Sequence, residues 1–172
     1  REAEYLLRQS DAHTLILGRG YRDSDYSGII AELCPELKDT RPGEHLHSRR
    51  LPFLRNVVTV GYRQDGCLGW EEMLQKAGGT PIEEVRRLAA AVNPHDVCNM
   101  QYTSGTTGFP KGVMLTHYNI VNNGKCIGDR MDLSTADRMM IQVPMFHCFG
   151  MVLAMTACMT HGSTMLPLPY FS

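Results

Sequence analysis

The sequence predicts an α/β fold in which helices flank a layered, largely parallel β-sheet. Short apolar runs rich in β-branched residues, such as NVVTVG at 56–61, are typical of buried strands. Segments with helical periodicity separate these runs, and strands that alternate with helices favour parallel pairing. With 172 residues, the chain is long enough for one ordinary domain with a core.

The first part of the chain supplies the first of these alternating elements. An amphipathic helix is predicted over residues 1–10, because apolar residues fall on one face there. The segment 38–52 is rich in Arg, His, Pro and Gly without periodicity and is predicted to be a loop. The remaining predicted elements are a strand at 13–17, a helix that ends before Pro35, a strand at 56–61 and a helix near Trp70–Ala77.

A further helix is predicted to begin at Thr80. Thr80 can cap it, Pro81 suits its first turn, and Glu83 completes the pattern of a capping box. An apolar face follows, and Asn93-Pro94 is expected to end the helix.

The second part of the chain continues the alternation around a loop rich in hydroxyl groups. Thr116 is predicted to cap a helix that runs to about Arg130. The apolar segment 148–160 is too short to span a bilayer, so a core helix is expected there rather than a transmembrane segment. Strands are predicted at 97–103, 113–116, 138–144 and 163–168.

Charge and cysteine content limit the function classes. Lys and Arg (17) nearly balance Asp and Glu (18), so the composition does not indicate a nucleic-acid partner. The six cysteines include no C-x-x-C pair, which favours reduced, buried thiols in a cytoplasmic protein over disulfides or a metal site. His45 and His47 are interpreted as surface residues because no further ligands accompany them. No metal ligands are therefore predicted.

The segment YTSGTTGFPKG, Tyr102–Gly112, has the composition of an anion-binding loop. Glycines let backbone N–H groups approach an anion, hydroxyls can donate to phosphate oxygens, and a lysine adds a positive charge. A flexible, solvated loop is the alternative, but the apolar flanking strands and the single lysine favour the anion site. Pro110 before Lys111 and Gly112 after it exclude a Walker A motif, which also disfavours a P-loop ATPase.

The longer stretch YTSGTTGFPKGVMLTHYNIVNN resembles the signature of the acyl- and aryl-adenylating (AMP-binding) enzyme superfamily. The segment PMFHCFG at 144–150 is similar to the next motif of that superfamily. The local sequence around both motifs is most like that of fatty-acyl-CoA synthetases. The resemblance is strong over 97–169 and weaker over 1–96.

This resemblance implies an ATP-dependent carboxylate–CoA ligase for fatty acids. The acid and ATP would give an acyl-adenylate and pyrophosphate, and coenzyme A would then accept the acyl group. Lys111 and His147 would be catalytic, and His147, Phe149 and Gly150 would form part of an acyl pocket. For His147, a core histidine is the alternative. The residues that would bind the ATP phosphates are Thr103, Ser104, Gly105, Thr106, Thr107, Gly108 and Lys111.

The resemblance also implies that residues 1–172 are part of a large N-terminal AMP-binding domain. Residues 1–96 would be upstream strand and helix units, and 97–172 would carry the phosphate loop and acyl pocket. The chain has no starting methionine and ends without a polar tail, so we expect a piece of a longer protein. The ligands of Mg²⁺ and the C-terminal domain would lie outside it, and the piece alone is expected to be inactive.

Two alternative functions stay open. An adenylation domain could load a carrier protein instead of coenzyme A. A truncated relative could bind nucleotide or a partner without catalysis. The parent protein is expected to be cytoplasmic, with peripheral membrane association open and no transmembrane segment.

Overall fold

The computed structural model of the chain describes residues 2–103 and 108–169. The fold consists of two compact units, Arg1–Ala90 (unit 1) and Ala91–Ser172 (unit 2). Sheets and helices alternate in both units, so the predicted α/β class is confirmed.

Unit 1 begins with a helix and places its strands between helices. Its helices are α1 (Glu2–Gln9), α2 (Tyr26–Leu33), a 3₁₀ helix (Pro35–Asp39), α3 (Trp70–Ala77) and α4 (Ile82–Ala90). Its strands are β1 (Thr14–Gly18), β2 (Gly20–Tyr21), β3 (Ser24–Asp25), β4 (Asn56–Val60) and β5 (Leu68–Gly69).

A parallel sheet in the order β1-β4-β5 forms the centre of unit 1. β1 and β4 pair in parallel from Thr14↔Asn56 to Gly18↔Val60, and β5 adds to β4 at Val58↔Leu68. The parallel pairing predicted from the strand–helix alternation is therefore confirmed here. The two-residue strand β5 was not predicted, because two residues are too short to show a strand period.

The core of unit 1 takes much of its apolar surface from a loop. Leu46, Leu51 and Leu54 are at most 2% exposed, although they belong to irregular backbone between the 3₁₀ helix and β4. They join one cluster with buried residues of α2, the 3₁₀ helix and β4. The loop was predicted from its lack of periodicity, but its role in the core was not. The buried members of the cluster are Ile30, Leu33, Cys34, Leu37, Leu46, Leu51, Leu54, Val57 and Cys67.

The capping prediction for α4 was wrong in its position. The helix begins at Ile82, so Thr80 lies two residues before its first turn and does not take the cap position. The Pro81 carbonyl instead accepts from the Glu84 N–H at 3.1 Å. α4 buries none of its residues, and it ends at Ala90, before the predicted stop at 93–94.

In its described residues, 91–103 and 108–169, unit 2 contains two pairs of strands and three helical segments. Its strands are β6 (Val97–Thr103), β7 (Lys111–Thr116), β8 (Arg138–Ile141) and β9 (Thr164–Pro167). Its helices are α5 (His117–Arg130), a π-helix (Phe149–Thr156) and α6 (Ala157–His161). β8 and β9 pair in parallel, whereas β6 and β7 form an antiparallel pair. The predicted largely parallel sheet thus holds for β8–β9 and for β1-β4-β5. It does not hold for the short antiparallel pair β2–β3 in unit 1 or for the strands that flank the anion loop.

Helix α5 packs closely against the π-helix and α6 through glycines. Gly124 and Gly128 are the buried residues of α5. A Cβ on Gly124 would lie 2.7 Å from Cγ2 of Thr156, and one on Gly128 would lie 3.0 Å from Cγ of His161. Only residues without a side chain allow this approach.

The apolar segment 148–160 is helical, as predicted, but most of it has π geometry. The Thr156 hydroxyl donates to the Met151 carbonyl, five residues back, at 3.0 Å. Periodicity does not distinguish a π-helix from an α-helix over such a short segment, so the geometry was not predicted. Among residues 2–103 and 108–169, no helix is long and apolar enough to cross a membrane.

The six cysteines are all free, as predicted, but only half of them are buried. Cys34, Cys67 and Cys158 are buried, whereas Cys98 and Cys126 are exposed. The prediction of buried thiols is therefore wrong for the last two. Cys98 lies on β6 and Cys126 lies on α5.

Candidate functional site

The β6–β7 hairpin is the frame of the predicted anion loop. The two strands pair from Val97↔Thr116 to Thr103↔Lys111, with a register shift near the start of β6. Thr103 and Lys111 are thus opposite each other at the last pair before the loop. Both are exposed. The hairpin therefore brings one predicted hydroxyl donor and the predicted cation to the same end of the sheet.

Gly112 lets the strands of the hairpin pack closely beside this last pair. It is opposite Tyr102, and a Cβ there would lie 2.9 Å from Sδ of Met100 and 3.3 Å from Cε1 of Tyr102. A larger residue would have to displace one of these side chains. Gly112, which sequence analysis assigned to the loop, thus belongs to β7 and allows close packing against Met100 and Tyr102.

Of the loop itself, the described part is Gly108–Pro110. Gly108 has φ +93°, a backbone region that side chains disfavour, so the glycine is required for the turn. Phe109, next along the chain, is 68% exposed. Four predicted phosphate-binding residues lie outside the described residues: Ser104, Gly105, Thr106 and Thr107.

A capping box fixes the point where β7 passes into α5. The Thr116 hydroxyl accepts from the Asn119 N–H at 3.1 Å, and Asn119 Oδ1 accepts from the Thr116 N–H at 3.1 Å. The predicted cap at Thr116 is confirmed. Sequence analysis assigned Thr116 as the cap but did not identify Asn119 as its reciprocal partner, although the Thr-x-x-Asn spacing resembles a capping box.

The segment before β6 is attached to the same helix start. The Asp96 carbonyl accepts from the His117 N–H at 3.3 Å, and the Pro94 carbonyl accepts from the Tyr118 N–H at 2.8 Å. The His95 ring stacks on the Tyr118 ring with 5.2 Å between centroids. Both strands of the hairpin therefore start or end at one anchored position. Local sequence spacing gave no signal for these contacts between distant residues.

The second motif forms a compact turn around His147. The His147 N–H donates to the Pro144 carbonyl at 3.1 Å, and the His147 carbonyl accepts from the Met151 N–H at 3.0 Å. The Phe149 N–H donates to Nδ1 of the His147 ring at 3.1 Å. The ring itself is exposed, and so is Phe149 (53%). The alternative reading of His147 as a buried core residue is therefore wrong.

Gly150 allows this turn to close. It is buried, and a Cβ there would collide with the Pro144 carbonyl and lie 2.9 Å from Cα of Met145. Because those atoms belong to the backbone, they could not move aside without moving the turn. Gly150 thus positions His147 through the backbone, in addition to the predicted place in a pocket wall.

Two polar side chains of β6 contact the π-helix that follows His147. Asn99 Nδ2 lies 3.7 Å and Gln101 Nε2 lies 3.8 Å from Sδ of Met151. Alternate residues of a strand share a face, so this face of β6 is directed at the first turn of the π-helix. The two sequence motifs are thereby connected within unit 2. Sequence analysis identified neither Asn99 nor Gln101.

The described residues do not form a metal site. Across 2–103 and 108–169, no group of three or more His, Cys, Asp or Glu side chains could hold a metal ion. His45 and His47 are exposed, as predicted.

Comparison with known proteins identifies the family. The family model described as AMP-binding enzyme matches residues 1–172, so the chain belongs to the AMP-binding enzyme family. YngI of Bacillus subtilis (strain 168), whose assignment as an acyl-CoA synthetase is provisional, is 44% identical over 171 residues. The mitochondrial medium-chain acyl-CoA ligase ACSF2 of Macaca fascicularis is 36% identical over 171 residues. The resemblance noted from the two motifs is therefore confirmed.

A solved structure shares the fold. The crystal structure of a long-chain-fatty-acid-CoA ligase (FadD1) from Archaeoglobus fulgidus superposes with a TM-score of 0.63 at 27% identity, over 99% of this chain and 28% of that one. The matches cover 99% of this chain and 31% of YngI, and 96% of this chain and 27% of ACSF2. The chain thus spans less than a third of the length of these relatives.

Proposed function

We propose that this chain is part of the N-terminal domain of an ATP-dependent carboxylate–CoA ligase that acts on fatty acids. The observation that carries the proposal is the pairing of Thr103 with Lys111 at the mouth of a glycine- and hydroxyl-rich loop. The family match over the whole chain and the names of the similar proteins support it.

The hairpin suits the binding of the pyrophosphate part of ATP. The Lys111 side chain supplies a positive charge at the end of β7, and hydroxyls from Thr103 and the following residues supply neutral donors. Together they would stabilise the negative charge that collects on the leaving pyrophosphate. The predicted phosphate-binding set, Thr103–Gly108 with Lys111, is retained in this proposal.

In the first step, a carboxylate oxygen of the fatty acid would bond to the α-phosphorus of ATP. The bond from that phosphorus to the bridging oxygen would break, and pyrophosphate would leave. In the second step, the thiol of coenzyme A would lose its proton to solvent and its sulfur would bond to the acyl carbon. The bond from that carbon to the phosphate oxygen would break, and AMP would leave. Mg²⁺ would neutralise phosphate charge when bound, and its ligands are proposed to lie outside this chain.

The turn around His147 would contact the reacting end of the acid. The His147 ring and the Phe149 side chain are both exposed on this turn, so both are available to a ligand. Gly150 keeps the turn closed by leaving room for the Pro144 carbonyl.

The test is carboxylate-dependent exchange of pyrophosphate into ATP by the complete gene product, with fatty acids of increasing length. In Lys111→Ala, we expect exchange to fall by on the order of 10²–10³, the loss typical of one charge-stabilising group. Lys76→Ala removes an exposed lysine from α3 and is the matched control, with exchange unchanged. Equal exchange in both variants would contradict the proposed role of Lys111.

The acyl acceptor separates the ligase from its close alternative. Transfer to coenzyme A supports the proposal, whereas transfer only to a carrier protein would indicate an adenylation domain. ATP binding without exchange for any acid would indicate a non-catalytic relative. The proposed compartment is the cytoplasm, although the name of ACSF2 places that protein in mitochondria.

A further inference from the structure

We propose that unit 1 contains an anion site of its own, which binds a small molecule with a phosphate group in a cavity at the carboxyl ends of β4 and β5. The cavity has a volume of about 410 Å³, and all of its lining residues belong to unit 1. The predicted phosphate loop belongs to unit 2, so this inference goes beyond the proposed function and does not depend on it.

The topology of the parallel sheet determines where the cavity lies. β4 and β5 run in parallel and pair at Thr59↔Gly69, and both of these residues line the cavity. In α/β proteins, ligands bind preferentially at the carboxyl ends of parallel strands. The volume also falls within the range of about 300–1,000 Å³ that is typical of small-molecule sites.

A buried hydroxyl on the wall of this cavity lacks a partner. Thr59 is 1% exposed, and its Oγ1 has no hydrogen-bond partner among the described residues. Thr59 shares a face of β4 with Val57, which packs in one cluster with Cys67, another residue of the cavity wall. Because an unpaired buried hydroxyl is costly, a ligand oxygen in the cavity would supply a favourable hydrogen bond.

The charged side chains around the cavity favour an anion. The Glu72 carboxylate accepts from the Gly69 N–H at 3.0 Å and pairs with Arg63 at 3.7 Å, so its charge is already compensated. The other charged residues of the wall carry two positive charges and one negative charge. The charged lining residues are Lys38, Arg41, Arg63, Asp65 and Glu72.

Arg41 is the side chain best suited to bind the ligand. Its pair with Glu44 is 3.9 Å long, and the two side chains are 85% and 60% exposed, so this ion pair contributes little. A guanidinium can donate two parallel hydrogen bonds to a phosphate group. The Lys38 ammonium and the Thr59 hydroxyl can donate to further oxygens of the same group, which a phosphate has and a carboxylate lacks.

The test is hydrogen exchange of the complete gene product, followed by mass spectrometry, with and without inorganic phosphate at matched ionic strength. The segment 61–67 between β4 and β5 contributes five of the lining residues and is the local reporter. A ligand that binds only the closed cavity should slow its exchange about tenfold at a phosphate concentration about ten times the Kd. Exchange of this segment that phosphate leaves unchanged would overturn the inference.

Helix α4 is the internal control for the general stabilisation of folded proteins by phosphate. α4 buries none of its residues, so its exchange reports local opening away from the cavity. We expect phosphate to leave this exchange unchanged. Equal slowing of α4 and of segment 61–67 would show a general effect and overturn the inference.

A pair of arginine variants tests the site itself. In Arg41→Ala, we expect the Kd for phosphate to rise by about tenfold or more, the loss typical of one hydrogen bond to a charged group. Arg86→Ala removes an exposed arginine of α4 that does not line the cavity, and it is the matched control with Kd unchanged. The same Kd in both variants would place the phosphate elsewhere and overturn the inference.

Thr59→Val tests the buried hydroxyl with two opposite expectations. It keeps the shape of the side chain, so without phosphate we expect the midpoint of urea unfolding to stay the same or rise. With phosphate, we expect weaker protection of segment 61–67 than in the unmodified protein. A lower midpoint would reveal a structural partner of the hydroxyl, and unchanged protection would exclude contact with the ligand; either result would overturn the inference.

The source of the phosphate group is identified by a second ligand, glycerol 3-phosphate, with glycerol alone as its control. We expect glycerol 3-phosphate to protect segment 61–67 at lower concentrations than inorganic phosphate, because it fills more of the cavity. Equal protection by the two would indicate that the site binds the free ion, which also supports an anion site. Protection by glycerol alone would show that no anion is required and would overturn the inference.

Discussion

The central strand of unit 1 and the hairpin of unit 2 differ in how much of their surface is covered. In β4, Val57, Val58 and Thr59 are at most 3% exposed. In the hairpin, Met114 is 63% and Val97 is 52% exposed. Parallel strands require long crossovers, which cover the sheet, whereas antiparallel strands can be joined directly and leave a face open.

The residues that stabilise unit 1 and the residues of the candidate site therefore lie in different parts of the chain. The buried strand carries the core of unit 1 and contains no predicted functional residue. The open hairpin buries little but presents Thr103 and Lys111 at one end. Substitutions should therefore affect folding in the first region and ligand binding in the second.

The largest expected effect on stability is that of Leu54→Ala in unit 1. Leu54 is 1% exposed within the core cluster, so its loss would leave a cavity and cost about 2–5 kcal/mol of the free energy of unfolding. The single tryptophan, Trp70, lies in unit 1, so its fluorescence during urea unfolding measures this change.

Met114→Ala in the hairpin is the matched control for Leu54→Ala. It removes a side chain of similar size from an exposed position, and we expect a change within about 0.5 kcal/mol, followed by circular dichroism. Similar losses in both variants would show that the hairpin is as closely packed as the core cluster of unit 1.

A smaller effect is expected for Gly124→Ala in α5. Alanine favours helices over glycine by about 1 kcal/mol, but its Cβ would lie 2.7 Å from Thr156 Cγ2 and 3.0 Å from the Thr156 carbonyl carbon. Overpacking typically costs about 1–3 kcal/mol, so we expect net destabilisation in thermal unfolding.

Asn123→Ala is the control for Gly124→Ala, because Asn123 is the exposed neighbour on the same helix. It gains helix propensity without a clash and should be neutral or slightly stabilising. A stabilising Gly124→Ala would mean that α5 and the π-helix separate easily.

Alkaline pH is also expected to lower the stability of unit 1. Burial raises the pKa of the Cys67 thiol from 9.0 to about 11. Between these values the unfolded chain loses a proton that the folded unit retains. The contribution of this thiol to the free energy of unfolding is therefore fully present below about pH 9. Above that pH, the free energy of unfolding falls by up to about 1.4 kcal/mol per pH unit until about pH 11. Urea unfolding at several pH values, followed by Trp70 fluorescence, measures this slope.

Cys67→Ala removes the titrating thiol, so it should remove that thiol's contribution to the fall of the free energy of unfolding with pH between about pH 9 and pH 11. Val57→Ala, in the same cluster, removes buried atoms without removing a titrating group, so it should lower stability at every pH and leave the slope unchanged. An unchanged slope in Cys67→Ala would contradict the assignment to this thiol.

The elements that were predicted best from the sequence are those whose bounds depend on neighbouring residues in the chain. The bounds of α3 agree with the predicted Trp70–Ala77, and Thr116 caps α5 as its hydroxyl and position indicated. Both depend on residues within one turn of the helix end. The two motifs likewise indicated the family, because each is a continuous stretch of chain.

The features that sequence missed depend on contacts between distant residues. The burial of Leu46 and Leu51 in a loop requires the rest of the core to be in place. The contact of Asn99 with Met151 joins residues 52 apart. The bond from the Phe149 N–H to Nδ1 of His147 is local, but it depends on the orientation of the ring, which residue spacing does not indicate.

The distribution of free thiols gives each unit a chemical reporter of local opening. Cys34 and Cys67 are buried in unit 1, and Cys158 is buried in unit 2. A thiol reagent can reach them only when the surrounding residues separate, whereas Cys98 and Cys126 are accessible at once. Labelling followed by peptide mass analysis would therefore give separate opening rates for the two units without any introduced probe.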